Sequence, residues 1–420
     1  MNPAVLSLLA LVVALGLSMM SRINVGWLGL AFAWVIGVYG AGMRPDAVMS
    51  GFPVTLFLTL TGVTLLFSLA ETNGSLQALA NRAMRPARGR ARLIPVLLFA
   101  IACALSSVGP GAVSTVALLA PLATVIGAQA GLPPLLVALM VANGANAGNL
   151  SPFSAVGVIA SSAMAKAGLT GFEGRVWLAN FAAHVLVAAV AYGAFLWIRR
   201  RQASAAAPVA NTPGPTLDAL SAPQRLTLLL IAAWIAGVVA LNLHLGLSAF
   251  GVAVIILLTT RTDESAAVKR MPWGIIMMVS GVSVLIGLLE KTGGMDLFTN
   301  LLARAASPAT LNGVIAFVTG AISTYSSTSG VVLPTFLPTS ATLVERVGGG
   351  DPLAVALSIA VGSHLVDVSP LSTIGALCVA AVADATAART LFRAMLLWGL
   401  AMTVVGALFC ALFAPLFASR

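Results

Sequence analysis

Apolar runs about twenty residues long recur from one end of this chain to the other, and they restrict it to a narrow class of folds. A helix needs about 20 mostly apolar residues to cross the hydrocarbon core of a bilayer. Only 8% of the 420 residues are charged, whereas soluble domains carry about 25%. So few charges cannot cover a soluble surface. The sequence therefore predicts an all-α polytopic membrane protein.

About ten of these runs are predicted to be full crossings, arranged as two sets of five. They are residues 4–20, 24–42, 52–70, 134–163, 177–198, 226–242, 244–260, 272–290, 352–381 and 391–415. Two further apolar segments, 93–130 and 309–344, are interrupted by the small polar residues of "ALSSVGPGAVST" and "AISTYSSTSGVV". Irregular backbone at membrane depth is tolerated only where protein or water surrounds it. Both segments are therefore predicted to be re-entrant hairpins.

The basic residues cluster between the predicted spans, and their placement predicts the orientation of the chain. Five arginines fall within 82–92 and three more occupy 199–201. With both termini outside, 15 of the 22 Lys and Arg residues lie in inside segments, as is typical of cytoplasmic loops. This placement also accounts for the net charge of +10 without a nucleic-acid partner. Because its first basic residue, Arg22, follows the apolar run, the N-terminal segment is predicted to be an uncleaved span.

The two halves of the chain repeat each other at a nearly constant spacing. The stretch "GNLSPFSAVG" at 148–157 matches "VDVSPLSTIG" at 366–375, an offset of 218 positions. Gly62 matches Gly281 at an offset of 219. Five crossings in each half would invert one copy relative to the other. Inverted repeats with broken helices at corresponding positions are typical of secondary transporters.

This repeat predicts the domain organisation. Residues 1–198 form the first inverted repeat and 226–420 the second. Residues 199–225 are rich in Ala and Pro and are predicted to be a cytoplasmic linker between them.

Each half carries a Ser-Pro pair inside a predicted span. Ser caps free N–H groups at a helix start, and Pro suits the first turn. The pairs Ser151-Pro152 and Ser369-Pro370 are therefore predicted to begin second half-helices, after unwound residues 144–150 and 362–368. A broken helix attracts anions to its exposed N–H groups and cations to its exposed carbonyls. Because no Lys or Arg lies centrally in a predicted span, half-helix ends and hydroxyls are expected to hold a small anionic substrate.

The breaks and hairpin tips supply the candidate binding residues. The substrate-binding candidates are Ser106, Ser107, Gly109, Gly111, Asn146, Asn149, Ser151, Pro152, Ser326, Ser327, Thr328, Ser329, Ser369, Pro370, Ser372 and Thr373. The candidates for binding a coupling ion are Asp367, His364, Asn149, Ser323 and Thr324.

Asp367 is the most distinctive of these candidates, because an acid inside a span is costly and commonly functional. It would take up a proton, or bind Na⁺ together with Asn149; no other metal or cofactor is expected. Capping of the following half-helix is the alternative role for Asp367, and packing is the alternative for His364. The small polar residues as a group have the alternative role of letting helices pack closely.

Four stretches carry a resemblance to a known family. They are "GFPVTLFLTLTGVTLLFSLAETNGS" (51–75), "SSVGPGAVSTVALLAPLA" (106–123), "GANAGNLSPFSAVG" (144–157) and "VDVSPLSTIGALCVA" (366–380). Together they resemble the bacterial malonate/dicarboxylate carriers of the MatC type, within the ion transporter superfamily of divalent-anion/sodium symporters and arsenite permeases. The resemblance implies an elevator motion of a transport domain against a scaffold, a homodimer and an inner-membrane location. The hairpin tips differ from those of the sodium-coupled relatives because neither contains the Asn of a Ser-Asn-Thr motif.

The predicted function is therefore secondary active transport of a small dicarboxylate, malonate or a C4-dicarboxylate, coupled to Na⁺ or H⁺. An arsenite or anion exporter, or a Na⁺/H⁺ antiporter of the same fold, is the alternative, and a channel is a further one. An enzyme is not expected, because the chain has no HExxH motif and no catalytic-triad spacing. It also lacks a P-loop, so ATP is not expected to drive transport directly.

Overall fold

The structure, a computed structural model, confirms the all-α prediction. It describes residues 2–21, 23–83, 90–109, 111–202, 219–241, 243–325, 327–382 and 384–418. Within those ranges every regular element is helical. The predicted linker lies largely outside them, as do Arg22, part of the basic segment 82–92 and the candidate Ser326.

The helices follow one another along the chain with short connections. In the first half they are α1 (Pro3–Ser21), α2 (Val25–Trp34), α3 (Pro45–Met49), α4 (Val54–Thr72), α5 (Ser75–Ala83), α6 (Ile94–Val108), α7 (Gly111–Gln129), α8 (Pro134–Gly148), α9 (Ala155–Lys166) and α10 (Glu173–Gln202). In the second half they are α11 (Ala222–Leu241), α12 (Leu245–Thr260), α13 (Glu264–Arg270), α14 (Trp273–Thr292), α15 (Gly294–Ala303), α16 (Leu311–Tyr325), α17 (Leu333–Phe336), α18 (Ser340–Val347), α19 (Pro352–Val366), α20 (Thr373–Ala380) and α21 (Ala385–Ala418). Wider π-helical turns form Val35–Gly40 and Thr328–Val332, and 3₁₀ turns form Ala91–Leu93 and Leu337–Thr339.

Four of the five long apolar helices in the described part of the chain coincide with predicted spans, and the fifth, α7, lies in the predicted hairpin 93–130. Among the described residues, α4, α7, α10, α14 and α21 are long and apolar enough to cross a membrane. Shorter apolar helices include α1, α6, α8, α11, α12, α16 and α19. The total of about ten crossings stays a prediction.

Four short helices were not predicted from the sequence. They are α3 and α5 in the first half and α13 and α15 at corresponding places in the second. Their mixed composition, with charged residues such as Asp46 and Lys269, hides them from a search for long apolar runs. They follow α2, α4, α12 and α14, so the two halves correspond in short elements as well as in long ones.

Two close helix crossings join the halves, and glycines make both possible. Helix α14 packs on α2, and α4 packs on α12. A Cβ on Gly281 would lie 2.1 Å from the carbonyl oxygen of Gly26, and a Cβ on Gly62 would lie 2.3 Å from that of Gly246. Small residues let membrane helices approach backbone to backbone. These glycines are therefore needed for the close packing of α14 on α2 and of α4 on α12.

We expect Gly281→Ala to destabilise the protein, because the added Cβ cannot fit against the backbone of α2. Overpacking of this kind costs about 1–3 kcal/mol or more. Thermal unfolding of the purified protein in detergent measures the loss. Gly251→Ala in α12 is the matched control, since a Cβ there has no neighbour within 4 Å. Equal melting temperatures for the two variants would contradict the close-packing account.

The hairpins pack against the broken helices, and two long helices lie beside them. Helix α6 packs on α7 and α8, and α16 packs in the same way on α19. The long helices α10 and α21 lie against α8 and α19 respectively. The predicted hairpin 93–130 is thus the pair α6 and α7. The predicted hairpin 309–344 has α16 as its first arm and the irregular run from Thr328 to α18 as its second. That these segments are re-entrant in a membrane stays a prediction.

Candidate functional site

Both predicted broken helices are broken, and the breaks have the same construction. The helix α8 ends at Gly148 and α9 begins at Ala155, while α19 ends at Val366 and α20 begins at Thr373. The Ser154 hydroxyl lies 2.9 Å from the Ser151 carbonyl oxygen and also donates to that of Asn149. The Ser372 hydroxyl lies 2.7 Å from the carbonyl oxygens of both Ser369 and Asp367. Each break is therefore closed by the serine before its second helix.

The predicted start of each second half-helix is wrong. It falls at Ser154 and Ser372 rather than at the Ser-Pro pairs. The Ser154 hydroxyl accepts a hydrogen bond from the Gly157 N–H at 2.8 Å, as an N-cap does. Ser151 and Ser369 lie in the turn itself, and their carbonyl oxygens face these caps. Ser372 occupies the equivalent N-cap position in the second half, but its side chain accepts no hydrogen bond from the following helix.

The predicted start of each unwound segment is also wrong, since α8 and α19 remain helical beyond Gly144 and Gly362. These glycines serve packing instead. A Cβ on Gly144 would lie 2.4 Å from the Phe99 carbonyl oxygen in α6, and one on Gly362 would lie 2.8 Å from the Ala316 Cα in α16. The glycines therefore bring each hairpin close to its broken helix.

A second pair of glycines keeps the turns of the breaks tight. A Cβ on Gly157 would lie 1.8 Å from the Ser151 carbonyl oxygen, and one on Gly375 would lie 2.1 Å from that of Ser369. No side chain fits at either position unless the break opens.

The tip of the first hairpin binds directly to the first break. The Ala112 N–H, at the start of α7, donates to the Asn149 side-chain oxygen at 2.9 Å. The Ala155 N–H donates to the Gly109 carbonyl oxygen at 3.2 Å. Gly111 has a φ of +73°, a left-handed conformation that favours glycine. The candidates Gly109, Gly111 and Asn149 therefore lie together.

The second hairpin binds to the second broken helix in an equivalent way. The Ser323 hydroxyl donates to the Ser363 carbonyl oxygen at 2.9 Å and pairs with the Thr328 hydroxyl. The hydroxyls of Thr328 and Ser372 lie near enough to hydrogen-bond to the Asp367 carboxyl group. Asp367 is buried at the C-terminal end of α19. The candidates Ser323, Thr328, Asp367 and Ser372 therefore lie together.

The remaining candidates differ in their burial and in their hydrogen bonds. Ser106 is buried and its hydroxyl has no partner among the described residues, and Ser327 caps the π-helical turn by accepting from the Gly330 N–H at 3.1 Å. Buried candidates also include Asn146, Ser151, Ser329 and Ser369. Pro152 and Thr373 are exposed. Ser107 and Thr324 hydrogen-bond to carbonyls of their own helices, those of Cys103 and Gly320.

The two breaks are linked at their centre by residues that correspond in the repeat. The Asn146 side-chain amide donates to the His364 carbonyl oxygen at 3.5 Å, and these two residues are 218 positions apart. Because these two residues correspond in the repeat, a two-fold axis relating the halves would pass near their contact. The candidates of both breaks thus belong to one continuous region.

Three buried polar residues beside this link were missed from the sequence. The His184 ring Nδ1 lies 2.9 Å from the Asn143 side-chain oxygen, and the Asn180 amide donates to the Asn146 carbonyl oxygen at 2.7 Å. All are fully buried. The sequence did contain an indication of this polar cluster. Asn180 and His184 are four residues apart and share one face of the otherwise apolar middle of α10.

A cation would find oxygen ligands in only part of the site. Among the described residues, no group of three or more His, Cys, Asp or Glu side chains is placed to hold a metal ion. The predicted Na⁺ partner Asn149 already accepts the Ala112 N–H. Asp367, with the Thr328 and Ser372 hydroxyls, offers the oxygen-rich surroundings that suit a hard cation.

Comparison with known proteins supports part of the resemblance. The family model described as the N-terminus of the dicarboxylate carrier protein MatC matches residues 1–149. The chain is similar in structure to the YdaH transporter of Alcanivorax borkumensis, whose crystal structure is described as revealing an unusual topology. The TM-score is 0.58 at 14% identity, over 99% of both chains. No curated protein matches this chain.

Proposed function

We propose that this protein is a secondary active transporter that moves a small dicarboxylate such as malonate across the bacterial inner membrane, coupled to Na⁺ or H⁺. The observation that carries the substrate class is the match of residues 1–149 to the dicarboxylate carrier family. The likeness to a transporter over the full chain supports the mode of action. The absence of Lys and Arg from the two breaks, at 149–154 and 367–372, agrees with an anion held by N–H groups and hydroxyls.

The geometry of the two breaks suits alternating access. Hairpins and broken helices would move as a transport domain, with α2, α4, α12 and α14 as part of the scaffold and the halves as inverted repeats. The tips contact that scaffold through glycines. A Cβ on Gly109 would lie 1.7 Å from the Phe67 ring in α4, and one on Gly330 would lie 2.0 Å from the Met278 sulfur in α14. Because glycine has no side chain to interlock with α4 or α14, both hairpin tips could slide along the scaffold. This supports an elevator motion.

Uptake of radiolabelled malonate into proteoliposomes tests this proposal. A Na⁺ gradient and a pH gradient are imposed separately, and protein-free liposomes serve as the control. We expect malonate to accumulate above equilibrium under at least one gradient and to be released when the gradient is collapsed. Absence of malonate-dependent uptake under both gradients would overturn the proposal. Arsenite efflux, or Na⁺-dependent proton movement without malonate, would favour the alternative functions instead.

The proposed arrangement also includes the orientation and the assembly of the chain. Both termini would lie outside, the linker would be cytoplasmic, and two copies would form a homodimer. Accessibility of terminal tags in intact cells, and the mass of the purified protein in detergent, test these two points separately.

We expect Asn149→Ala to weaken malonate binding by roughly tenfold or more. The substitution leaves the buried Ala112 N–H without its acceptor, which costs about 1–3 kcal/mol. The hairpin tip then loses its attachment to the break. Binding isotherms of the purified protein measure the effect. Asn24→Ala is the control, because Asn24 caps α2 through the Gly26 N–H at 2.8 Å, away from the breaks. Equal losses in both variants would indicate a general folding defect instead.

A further inference from the structure

A buried polar cluster lies where α8, α10 and α19 meet, beside the link between the two breaks. It consists of Asn143 and Asn146 on α8, Asn180 and His184 on α10, and His364 on α19. All five side chains are fully buried. The two imidazoles are near enough to interact electrostatically. The cluster is outside the oxygen-rich region around Asp367. Of its five residues, only Asn146 is a candidate for binding substrate and only His364 a candidate for binding the coupling ion.

The hydrogen bonds assign the tautomer of both histidines. His364 Nδ1 lies 2.7 Å from the Ala360 carbonyl oxygen, which can only accept, so Nδ1 carries the proton. The Asn143 amide nitrogen donates to the Leu139 carbonyl oxygen, which leaves its side-chain oxygen to accept from His184 Nδ1 at 2.9 Å. In both neutral rings, Nε2 is therefore a free acceptor.

The two remaining amides add acceptors of the same kind. The side-chain nitrogens of Asn146 and Asn180 donate to the carbonyl oxygens of His364 and Asn146. Their side-chain oxygens have no partner, and neither do the Nε2 atoms of His184 and His364, within the part of the chain that the structure describes. Four buried acceptors thus share one cluster in which none of the described N–H or O–H groups is placed to hydrogen-bond to them. Unsatisfied buried polar atoms are costly, so the cluster requires a species that brings hydrogens or positive charge.

We propose that these five residues form a proton-binding site, in which one proton from water is held on the Nε2 atoms of His184 and His364 and the amide oxygens of Asn146 and Asn180 stabilise its charge. Imidazole is the side chain suited to reversible protonation near neutral pH. Two nitrogen acceptors also suit a proton better than Na⁺, which prefers oxygen ligands. One proton, not two, is expected, because two imidazolium groups at this distance would repel each other.

The site has few charged neighbours. Helix α8 carries no titratable residue, and α10 carries its charges near its two ends, at Glu173, Arg175 and 199–201. Helix α19 carries Asp367, one turn beyond His364. The charges of the other helices packed on α10 and α19 are exposed; they are Lys166 on α9, Glu345 and Arg346 on α18, and Arg389 and Arg393 on α21. Asp367 is therefore the titratable acid nearest to His364 along the chain, and it is itself buried.

The position between the two breaks gives this proton a role in transport. If the protein carries a dicarboxylate as proposed above, a proton bound where α8 meets α19 links proton uptake to the geometry of both breaks. This use of the site rests on the proposed function. Proton binding itself does not.

Nitrogen-15 NMR of the histidine-labelled protein in detergent tests the site directly. The chain has three histidines, and His244 is exposed at the start of α12, which makes it an internal reference. Between about pH 4 and 9, we expect the His184 and His364 Nε2 signals to change together, with one proton taken up by the pair. In His184→Gln the amide supplies a donor, so the His364 signal should no longer change over this range.

Transport provides a second readout with a matched control. We expect His184→Gln to reduce uptake driven by a pH gradient on the order of tenfold, with unchanged malonate affinity, while His244→Gln behaves as the native protein. Histidine signals that stay constant over the whole pH range would overturn the proposal, leaving a cluster that holds water only. Signals that respond to Na⁺ rather than to pH would also overturn it. Because the NMR needs no malonate, a protein that does not transport malonate can still confirm or exclude the proton site.

Discussion

Replacing Gly375 with alanine will strongly weaken the binding of malonate while leaving the membrane protein assembled. The new Cβ would lie 2.1 Å from the Ser369 carbonyl oxygen and 2.3 Å from its carbonyl carbon. Both atoms belong to the backbone of the break, so no side-chain rotation relieves the clash. The turn between α19 and α20 must open, and Ser372 then loses its two carbonyl partners.

The expected loss is large because binding groups must be held accurately. A displacement of about 1 Å can cost on the order of 100-fold, and the clash at Gly375 requires a shift of that size. Malonate affinity by calorimetry measures the loss. Gly193→Ala is the matched control, since Gly193 lies within the long helix α10 and a Cβ there has no neighbour within 4 Å. Native affinity in Gly375→Ala would show that the second break does not form the binding site.

Asp367→Asn will uncouple transport from the ion gradient without unfolding the break. Asp367 is the only acidic residue in the two breaks, at 149–154 and 367–372. The amide matches the carboxylate in shape and lies equally near the hydroxyls of Thr328 and Ser372. Only the ionisable group is removed, and with it the ability to bind Na⁺ or to take up and release H⁺.

The uncoupling is measured by comparing two rates. Uptake driven by an imposed gradient should fall by up to about 100-fold, the upper range of coupling free energies. Exchange of labelled for unlabelled malonate at equal concentrations should change much less. Asp351→Asn is the control, because Asp351 is exposed and caps the start of the same helix through the Leu353 N–H at 2.7 Å. If gradient dependence survives in Asp367→Asn, the carboxylate is not the coupling group.

The long helices could be predicted because lipid leaves the backbone few alternatives. Runs such as 52–70 and 272–290 became α4 and α14 to within two residues at each end, since every backbone group in a bilayer must be satisfied within the helix. The short helices α3 and α13 have no such requirement, and their mixed sequences gave no indication of them.

The breaks were predicted in the right helices but at the wrong residues. The Ser-Pro pairs suggested a helix start by local preference, whereas Ser154 and Ser372 provide it through contacts with carbonyls three and five residues earlier. Local preference also misled at Gly144, which keeps its helical conformation because α6 packs directly against it. The partners of His184 could not be predicted at all, because α8 and α19 meet α10 only through the tertiary fold.

Protection of the hairpin tips by substrate is the most direct test of the central claim, that both tips and both breaks form one dicarboxylate site. Single cysteines at Ser107 and Ser327, which are half-buried, are introduced after alanine replaces Cys103, Cys378 and Cys410. Ala104, exposed one turn before the first tip, provides the control position.

We expect saturating malonate to slow labelling by a thiol reagent at both tips and to leave the rate at position 104 unchanged. A protein that still takes up malonate, but whose two tips are labelled at the same rate with and without it, would contradict the account.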